Sequence, residues 1–269
     1  MKLQNSKISI LIISTVMLLT PLFSNAQQTG IRLEGTDATY FAAGGENAKG
    51  KTVLILPGGG YSYHAMDHEG FDWVPFFNER GINVAVLKYK LPEGNLELPL
   101  GDVKKTIEIL QSHAEEWNID PKDIGIMGFS AGGHLASAYA THSEGDTKPA
   151  FQILFYPVIS LKPGLTHQSS KDCFLGSDQS EDRILSYSGE EQVNSSTPPA
   201  ILFHSADDAG VVPENSINYF QALRKAGVPA SLHIYPVGGH GWGFRNYFPY
   251  HDVMLEELST WLNLQKTKD

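Results

Sequence analysis

Cysteine is nearly absent from the sequence. The only cysteine among the 269 residues, Cys173, has no partner for an internal disulfide, so the core alone must hold the fold together. The residues around it, KDCFLG, match none of the local signatures of a nucleophilic cysteine. We therefore interpret Cys173 as a buried or incidental residue.

Basic side chains are also scarce. The chain has 20 Lys and Arg against 30 Asp and Glu, and its lysines and arginines form no cluster. A protein that binds nucleic acid or an anionic membrane surface presents clustered positive charge. The composition therefore argues against both kinds of partner.

Long apolar runs are lacking except at the N-terminus. Lys2 and Lys7 precede the run ISILIISTVMLLTPLF, and the small residues of SNA follow it where a signal peptidase would cleave. We predict that residues 1–26 are a secretory signal and that residues 27–269 form one domain, periplasmic or secreted, without stable membrane association. An N-terminal membrane anchor is the alternative, but the run is short for a span of about 20 residues and is interrupted at Ser14, Thr15, Thr20 and Pro21.

From residue 52 onward, apolar runs rich in β-branched residues alternate with helical patterns. The predicted strands are residues 52–56, 82–89, 124–127, 151–156, 200–204 and 231–235, and two weaker candidates, IRLEG and ATYFAA, precede them. Helical apolar stripes run from Val103 to Trp117, from Ile217 to Ala226 and from His251 to Leu264. This alternation predicts an α/β fold with a mostly parallel sheet and helices on both faces.

A glycine-rich motif, GFSAGG, occupies residues 128–133 between a predicted strand and a predicted helix. In a G-x-S-x-G motif the chain turns so sharply that the serine, here Ser130, is held strained and exposed. The alternative is an ordinary glycine-rich loop. A nucleophilic serine needs a base, an acid that orients the base and donors for an oxyanion, so the remaining sequence tests the two interpretations.

All three additional parts follow predicted strands. His240 lies between two glycines after the last strand, and Asp207 and Asp208 both follow the strand before it, which leaves the acid open between them. The order Ser, Asp, His is that of α/β-hydrolases. The run PGGG after the first buried strand, together with the N–H of Ala131, offers oxyanion donors, and we predict a serine hydrolase.

Other polar and aromatic residues lie near these motifs. We expect His134 to pack in the core, and His64, Asp67, His68 and Glu69 to serve packing and rim hydrogen bonds, because their spacing is no usual metal-ligand pattern. We assign no metal. Several aromatic residues flank the catalytic motifs and are expected to wall the substrate pocket, chiefly Tyr61, Phe129 and Trp242, with Tyr63 and Phe244 beside them.

Segments along most of the chain are similar to those of a known group. They are PGGGYSYHAMDHEG, FFNERGINVAVLKYKLP, GFSAGGHLA, PPAILFHSADD and AGVPASLHIYPVGGHGWG. Together they resemble bacterial α/β-hydrolases of the carbohydrate esterase type, including acetylxylan and feruloyl esterases of Bacteroidetes. The resemblance implies a triad of Ser130, Asp208 and His240, and an oxyanion turn formed by Gly59 and Gly60.

The sequence thus predicts a cofactor-independent esterase that acts on small acylated saccharides or aryl esters. A general short-chain carboxylesterase, a prolyl-oligopeptidase-like peptidase and a non-catalytic binding protein with a hydrolase fold are the alternatives. A binding protein would usually lack a triad residue, and a peptidase of that type usually carries a large extra domain. The long connection between residues 157 and 199 is mostly polar, so we expect short acyl groups rather than lipid chains. The oligomeric state is not predicted.

Overall fold

The computed structural model describes residues 29–44, 48 and 50–265. The predicted secretory signal, residues 1–26, therefore lies outside the described residues. No helix within the described ranges has the length and apolar character needed to cross a membrane.

One sheet of eight strands forms the centre of the described chain. The strands are β1 (Ile31–Arg32), β2 (Ala38–Phe41), β3 (Thr52–Leu56), β4 (Asn83–Leu87), β5 (Ile124–Phe129), β6 (Gln152–Phe155), β7 (Ala200–Ser205) and β8 (Ala230–Tyr235). Their spatial order is β1-β2-β4-β3-β5-β6-β7-β8. Strands β3 to β8 pair in parallel, whereas β1 and β2 pair antiparallel at one edge. The predicted mostly parallel sheet is confirmed.

Helices cover both faces of this sheet. They are α1 (Val74–Asn78), α2 (Glu97–Ser112), α3 (Ser130–His142), α4 (Gln168–Leu175), α5 (Glu181–Ser186), α6 (Gly189–Gln192), α7 (Glu214–Lys225) and α8 (His251–Leu264). One core lies between the sheet and helices α2, α3 and α7, and the other between the sheet and helices α1 and α8. Strands β3 to β7 are buried along their whole length because both of their faces are covered.

The structure differs from the sequence-based expectation at the end of one predicted helix. The apolar stripe predicted to be helical up to Trp117 continues past the end of α2 as a series of turns. There the Trp117 ring stacks on Tyr40, with centroids 4.6 Å apart, and on His113, at 4.1 Å. The long connection between residues 157 and 199 contains α4, α5 and α6, and the half-buried Cys173 lies on α4.

The parallel pairing brings the strand ends that precede the predicted site residues to one edge of the sheet. Because β3, β5, β7 and β8 run in the same direction, the loops that follow them emerge at the carboxyl edge of the sheet. These four loops carry the glycine run 58–60, Ser130, Asp208 and His240. The fold thus collects the predicted site residues, which lie up to 182 positions apart, at one place.

The packing of α3 against β3 generates a test of the fold. A Cβ atom added at Gly132 would lie 2.1 Å from the carbonyl oxygen of Leu56 and 2.5 Å from that of Pro57. Both are backbone atoms, so the helix would have to move, and we expect Gly132→Ala to lower the free energy of unfolding by about 3 kcal/mol. Urea denaturation followed by circular dichroism measures this change.

Gly101 provides the matched control for Gly132. It lies inside α2 with no atom within 4 Å of an added Cβ. Because alanine loses less backbone entropy in a helix, Gly101→Ala should stabilise the protein by about 0.5–1 kcal/mol. Equal effects of the two substitutions would contradict the close approach of α3 to β3.

Candidate active site

Ser130 lies where strand β5 turns directly into helix α3. Phe129 has extended backbone with φ −118°, whereas Ser130 has φ +51°, a conformation that is rare and strained for a residue with a side chain. The turn leaves no space for larger neighbours, because a Cβ atom at Gly128 would lie 2.3 Å from the oxygen of Gly132. Ser130 is only 6% exposed, yet it lines an open cleft.

His240 connects the serine to an acid. Its Nε2 lies 2.8 Å from Ser130 Oγ, and its Nδ1 lies 2.7 Å from Asp208 Oδ2. When Nδ1–H donates to the carboxylate, Nε2 is left as the acceptor of the serine hydroxyl. The loop that carries the imidazole contains Gly239 and Gly241, with φ +61° and +76°. Glycine adopts such values without strain, which allows the loop to bend back toward the serine.

The structure distinguishes the two adjacent aspartates. Asp208 is 4% exposed, and its Oδ1 accepts the N–H groups of Gly210 and Val211, each at 2.9 Å. Asp207 is exposed and its Oδ1 accepts the N–H of Gly239 at 2.8 Å. Asp208 is therefore the carboxylate that contacts the imidazole, while Asp207 fixes the neighbouring loop.

The charge of Asp208 is enclosed by donors. Burial by itself would raise the pKa of Asp208, but hydrogen bonding to His204 and His240 outweighs burial and holds that pKa below its usual range. His204 is fully buried, with Nε2 at 3.4 Å from Asp208 Oδ2 and 2.9 Å from the oxygen of Val211. Asp208 is thus kept as a carboxylate that can hold the imidazole in one orientation.

The predicted oxyanion turn lies beside the serine. Gly59 and Gly60 have φ +129° and +63° and line the same cleft as Ser130. Among the described residues, no acceptor contacts their N–H groups, whereas the N–H of Gly58 is bound by Glu69 Oε2 at 2.8 Å. The N–H of Ala131 belongs to the first turn of α3, where N–H groups have no acceptor within the helix. These groups remain available to an oxygen atom in the cleft.

The cleft itself has a volume of about 510 Å³ and a lining of mixed polar and apolar character. It is lined by Gly59, Gly60, Ser62, Tyr63, Ala65, His68, Glu69, Ser130, His167, Ser169, His240, Gly241 and Arg245. Residues 167 and 169 come from the long connection, which therefore forms one wall. A larger cavity of about 660 Å³ lies at the opposite, amino edge of the parallel strands and contains none of the predicted site residues.

The prediction that Tyr61, Phe129 and Trp242 wall the substrate pocket needs correction. All three are buried in the core and none lines the cleft. The Tyr61 hydroxyl bonds His134 Nδ1 at 2.9 Å, the Phe129 ring stacks on a strand neighbour, and Trp242 Nε1 donates to Ser205 Oγ at 3.0 Å. The chain reverses at each motif, so these rings point away from the solvent. Tyr63, 64% exposed, is the aromatic residue that lines the cleft.

The histidines and acids outside the triad have structural partners. The His134 ring is fully buried, which lowers its pKa to about 4. His64 packs edge-on against Tyr89, and His68 Nδ1 lies 2.7 Å from Asp67 Oδ1. Within the part of the chain that is described, no group of three or more such side chains has an arrangement suited to a metal ion.

Sequence reasoning missed two contributors to the site. Glu69, expected at the rim, is buried and lines the cleft, and Tyr156 contacts both Glu69 and the loop of His240. Tyr156 directly follows β6, so it also lies at the carboxyl edge of the sheet. This position after a strand could have identified Tyr156 from the sequence, because the residues that follow neighbouring parallel strands meet at this edge.

The sheet order, the strand-to-helix turn at the serine and the serine, histidine and aspartate contacts together define an α/β-hydrolase fold with a hydrolase-type triad geometry. Within this class, residues 40–223 match the BD-FAE family. The match covers more than half of the chain, and the chain belongs to this family.

Two characterised proteins show the extent of the similarity. The chain is 45% identical over 221 residues to an acetylxylan esterase of Xylanibacter ruminicola, covering 81% of this chain and 46% of that protein. It is 32% identical over 211 residues to endo-1,4-beta-xylanase B of Butyrivibrio fibrisolvens, covering 73% of this chain and 33% of that protein. The chain therefore spans half or less of the length of these relatives.

Solved structures resemble the chain over nearly its whole length. The acetyl ester-xyloside bifunctional hydrolase of Caldicellulosiruptor lactoaceticus has a TM-score of 0.77 and 32% identity, and the similarity covers 93% of each chain. A sugar hydrolase from Lactococcus lactis has a TM-score of 0.73 and 30% identity, covering 88% of this chain and 97% of that one.

The enclosed charge of Asp208 predicts a pH-dependent stability. Its pKa is lower in the folded protein than the value of about 3.9 in an unfolded chain. Its contribution is therefore fully present above about pH 4 and is lost as the pH falls through the folded-state pKa. Asp208→Asn should lower the free energy of unfolding by about 2 kcal/mol at neutral pH, and the difference should narrow below about pH 4.

Urea denaturation across this pH range measures the difference, with Asp207→Asn as control. The exposed Asp207 accepts one backbone N–H, which an asparagine oxygen also accepts, so the control should change stability by less than about 0.5 kcal/mol. A deficit of Asp208→Asn that stays constant down to low pH would contradict the charge-based account.

Proposed function

We propose that this protein is a secreted or periplasmic serine esterase that removes short acyl groups, above all acetyl, from xylan-type saccharides. The observation that carries this proposal is the continuous hydrogen-bonded line from Ser130 through His240 to Asp208, next to unoccupied backbone donors in one cleft. That arrangement contains each part that acyl transfer through a serine requires.

In the proposed reaction, Ser130 Oγ attacks the ester carbonyl while His240 Nε2 accepts its proton. The carbonyl oxygen becomes an oxyanion, which the N–H groups of Gly59, Gly60 and Ala131 stabilise. The imidazolium then donates the proton to the leaving alcohol oxygen, and the acyl group stays on the serine. A water molecule, deprotonated by the same imidazole, releases the acid and restores the serine. Asp208 stabilises the imidazolium in both steps, and no cofactor is required.

The form of the cleft favours a small acyl group and a polar leaving group. The space beside Gly60 is limited by α4 and the turn before it, because an added Cβ would lie 3.7 Å from Ser169 Oγ and 3.8 Å from His167 Cε1. Hydroxyl and imidazole groups there suit a saccharide better than an alkyl chain. The acetylxylan esterase and the acetyl ester-xyloside hydrolase similar to this chain support the same substrate class.

The proposed location depends on the N-terminal sequence. Two lysines, an apolar run and a small-residue site are the features of an exported protein. An enzyme exported in this way meets polysaccharide fragments outside the cytoplasm. Detection of the mature N-terminus at residue 27 in a periplasmic or extracellular fraction would support this part of the proposal.

The nucleophile provides the first test of the mechanism. Ser130→Ala should keep the fold and reduce turnover of 4-nitrophenyl acetate on the order of 10⁶-fold. Asp208→Asn should reduce it about 10⁴-fold because the imidazole loses its orientation. Asp207→Asn, which changes only the exposed neighbour, should cost much less. A Ser130→Ala variant that keeps a substantial part of wild-type turnover would refute the serine mechanism.

The acyl group provides the second test. Turnover of 4-nitrophenyl esters should fall from acetate to decanoate, because α4 and the turn before it limit the space beside Gly60. Acetylated xylo-oligosaccharides should release acetate, measured by chromatography, and feruloylated ones are run beside them to define the acyl range. The Ser130→Ala variant is the control for chemical hydrolysis. Preference for decanoate with no release from the saccharides would point to a lipase.

A further inference from the structure

A buried carboxylate that the proposed mechanism does not use lies in the wall of the cleft. Glu69 is 3% exposed. Its Oε2 accepts the N–H of Gly58 at 2.8 Å, and its Oε1 accepts the hydroxyl of Tyr156 at 2.8 Å. Gly58 directly precedes Gly59 and Gly60, the predicted oxyanion turn, so one end of this carboxylate fixes the entry to that turn. A Cβ atom at Gly58 would lie 2.6 Å from Glu69 Oε2, which shows how closely the two fit.

Tyr156 connects this carboxylate to the loop of the base. Its hydroxyl oxygen accepts the N–H of Gly243 at 2.8 Å while its hydrogen is donated to Glu69. Its ring contacts the His240 imidazole, with centroids 4.8 Å apart, and Trp242 at 4.9 Å. The residue is fully buried and has φ +34°, a conformation that costs about 1–3 kcal/mol for a residue with a side chain.

These contacts form one line across the site. It runs from the Gly58 N–H through the Glu69 carboxylate and the Tyr156 hydroxyl to the Gly243 N–H. The two segments it joins are irregular and glycine-rich, so neither is fixed by a helix or a strand. A shift of either segment would move the oxyanion donors or the imidazole relative to Ser130.

At the position of Glu69, this line of hydrogen bonds requires a side chain with two acceptor oxygens. The two groups within hydrogen-bond distance of Glu69 are donors, and the tyrosine hydroxyl has already accepted the Gly243 N–H. His68 Nε2 lies farther away, 4.0 Å from Oε1. Burial raises the pKa of Glu69, against the hydrogen bond from Tyr156, which lowers it. A buried carboxylate costs several kcal/mol unless its partners compensate. Apolar side chains could fill this space without that cost, so packing alone gives no reason for an acid here.

We propose that Glu69 and Tyr156 are positioning residues that hold the oxyanion turn and the His240 loop in register with Ser130. This inference rests on the proposed esterase function. Glu69 and Tyr156 contribute to stabilisation of the transition state, in which the oxyanion donors and the imidazole must both be in place. They contribute little to the affinity for the substrate.

The test uses Tyr156→Phe, which removes one oxygen atom, and Glu69→Gln, which keeps the shape but places an amide N–H₂ against a donor. On an acetyl ester, each variant should lose about 10–100-fold in kcat while KM changes by less than about three-fold. Assays are run well below the Tm of each variant, so that loss of folded protein does not contribute. The double variant should lose about as much as the more affected single variant, because both changes break the same line.

Tyr219→Phe is the matched control. The Tyr219 hydroxyl is equally buried and donates to Gln152 Oε1 at 2.9 Å, at the start of β6 and away from the cleft. This substitution should lower Tm and leave kcat unchanged. A second measurement is the affinity for phenylboronic acid, which forms a tetrahedral adduct with a serine oxygen. It should weaken in Glu69→Gln and Tyr156→Phe and stay constant in Tyr219→Phe.

The inference is overturned if folded Tyr156→Phe keeps kcat and boronic acid affinity within about two-fold of wild type. It is also overturned if Tyr219→Phe loses as much kcat. If Glu69→Gln fails to fold, Tyr156→Phe alone decides the test, because it retains the ring and its packing. The proposed function fails separately, when Ser130→Ala still turns over the ester.

Discussion

The site depends on the close approach of helix α3 to the central strand β3. The backbone of Gly132 lies against the carbonyl oxygen of Leu56 at a distance that excludes any side chain. To begin the helix so near the sheet, the chain must turn within one residue, and Ser130 takes up the strain with its positive φ. The serine therefore lies at the sheet edge, with the first N–H groups of α3 beside it. The positions of the proposed nucleophile and of the proposed oxyanion donor at Ala131 are consequences of the same turn.

The parallel sheet supplies the second constraint. It places four connections at one edge, and two of them, those after β3 and β8, contain glycines with positive φ, which allows short loops to reach the serine. Loops of this kind have little stiffness of their own. The structure compensates with buried polar contacts: Asp208 holds its own loop and the imidazole, and Glu69 with Tyr156 connects the two sides of the cleft. Each buried acid is surrounded by donors, as the cost of burying charge requires.

The division between aromatic core and polar cleft bears on the substrate. The rings nearest the triad, such as Trp242 and Phe129, lie beneath the loops and support them by packing. The cleft is left to hydroxyl, imidazole and backbone groups, with the exposed ring of Tyr63 at its side. Such a surface offers hydrogen-bond partners of the kind that a saccharide needs, which fits the proposed substrate class.

The sequence by itself determined the strands and the four longest helices, because burial between two layers of helices leaves an apolar run and an amphipathic helix leaves a period of 3.6 residues. It also determined the order serine, aspartate, histidine after strands β5, β7 and β8. It did not separate Asp207 from Asp208, or show that Tyr61 and Trp242 face inward. The positions of the two aspartates and the direction of the two rings depend on the φ angles of the turns, which a periodic pattern of apolar residues does not encode.

Only the tertiary structure brought Glu69 and Tyr156 together. They are 87 positions apart and meet because β3 and β6 lie on either side of β5 in the sheet. The sequence does not show whether water or protein donors will surround a carboxylate. Its environment depends on the groups that folding places within hydrogen-bond distance, and these come from distant parts of the chain.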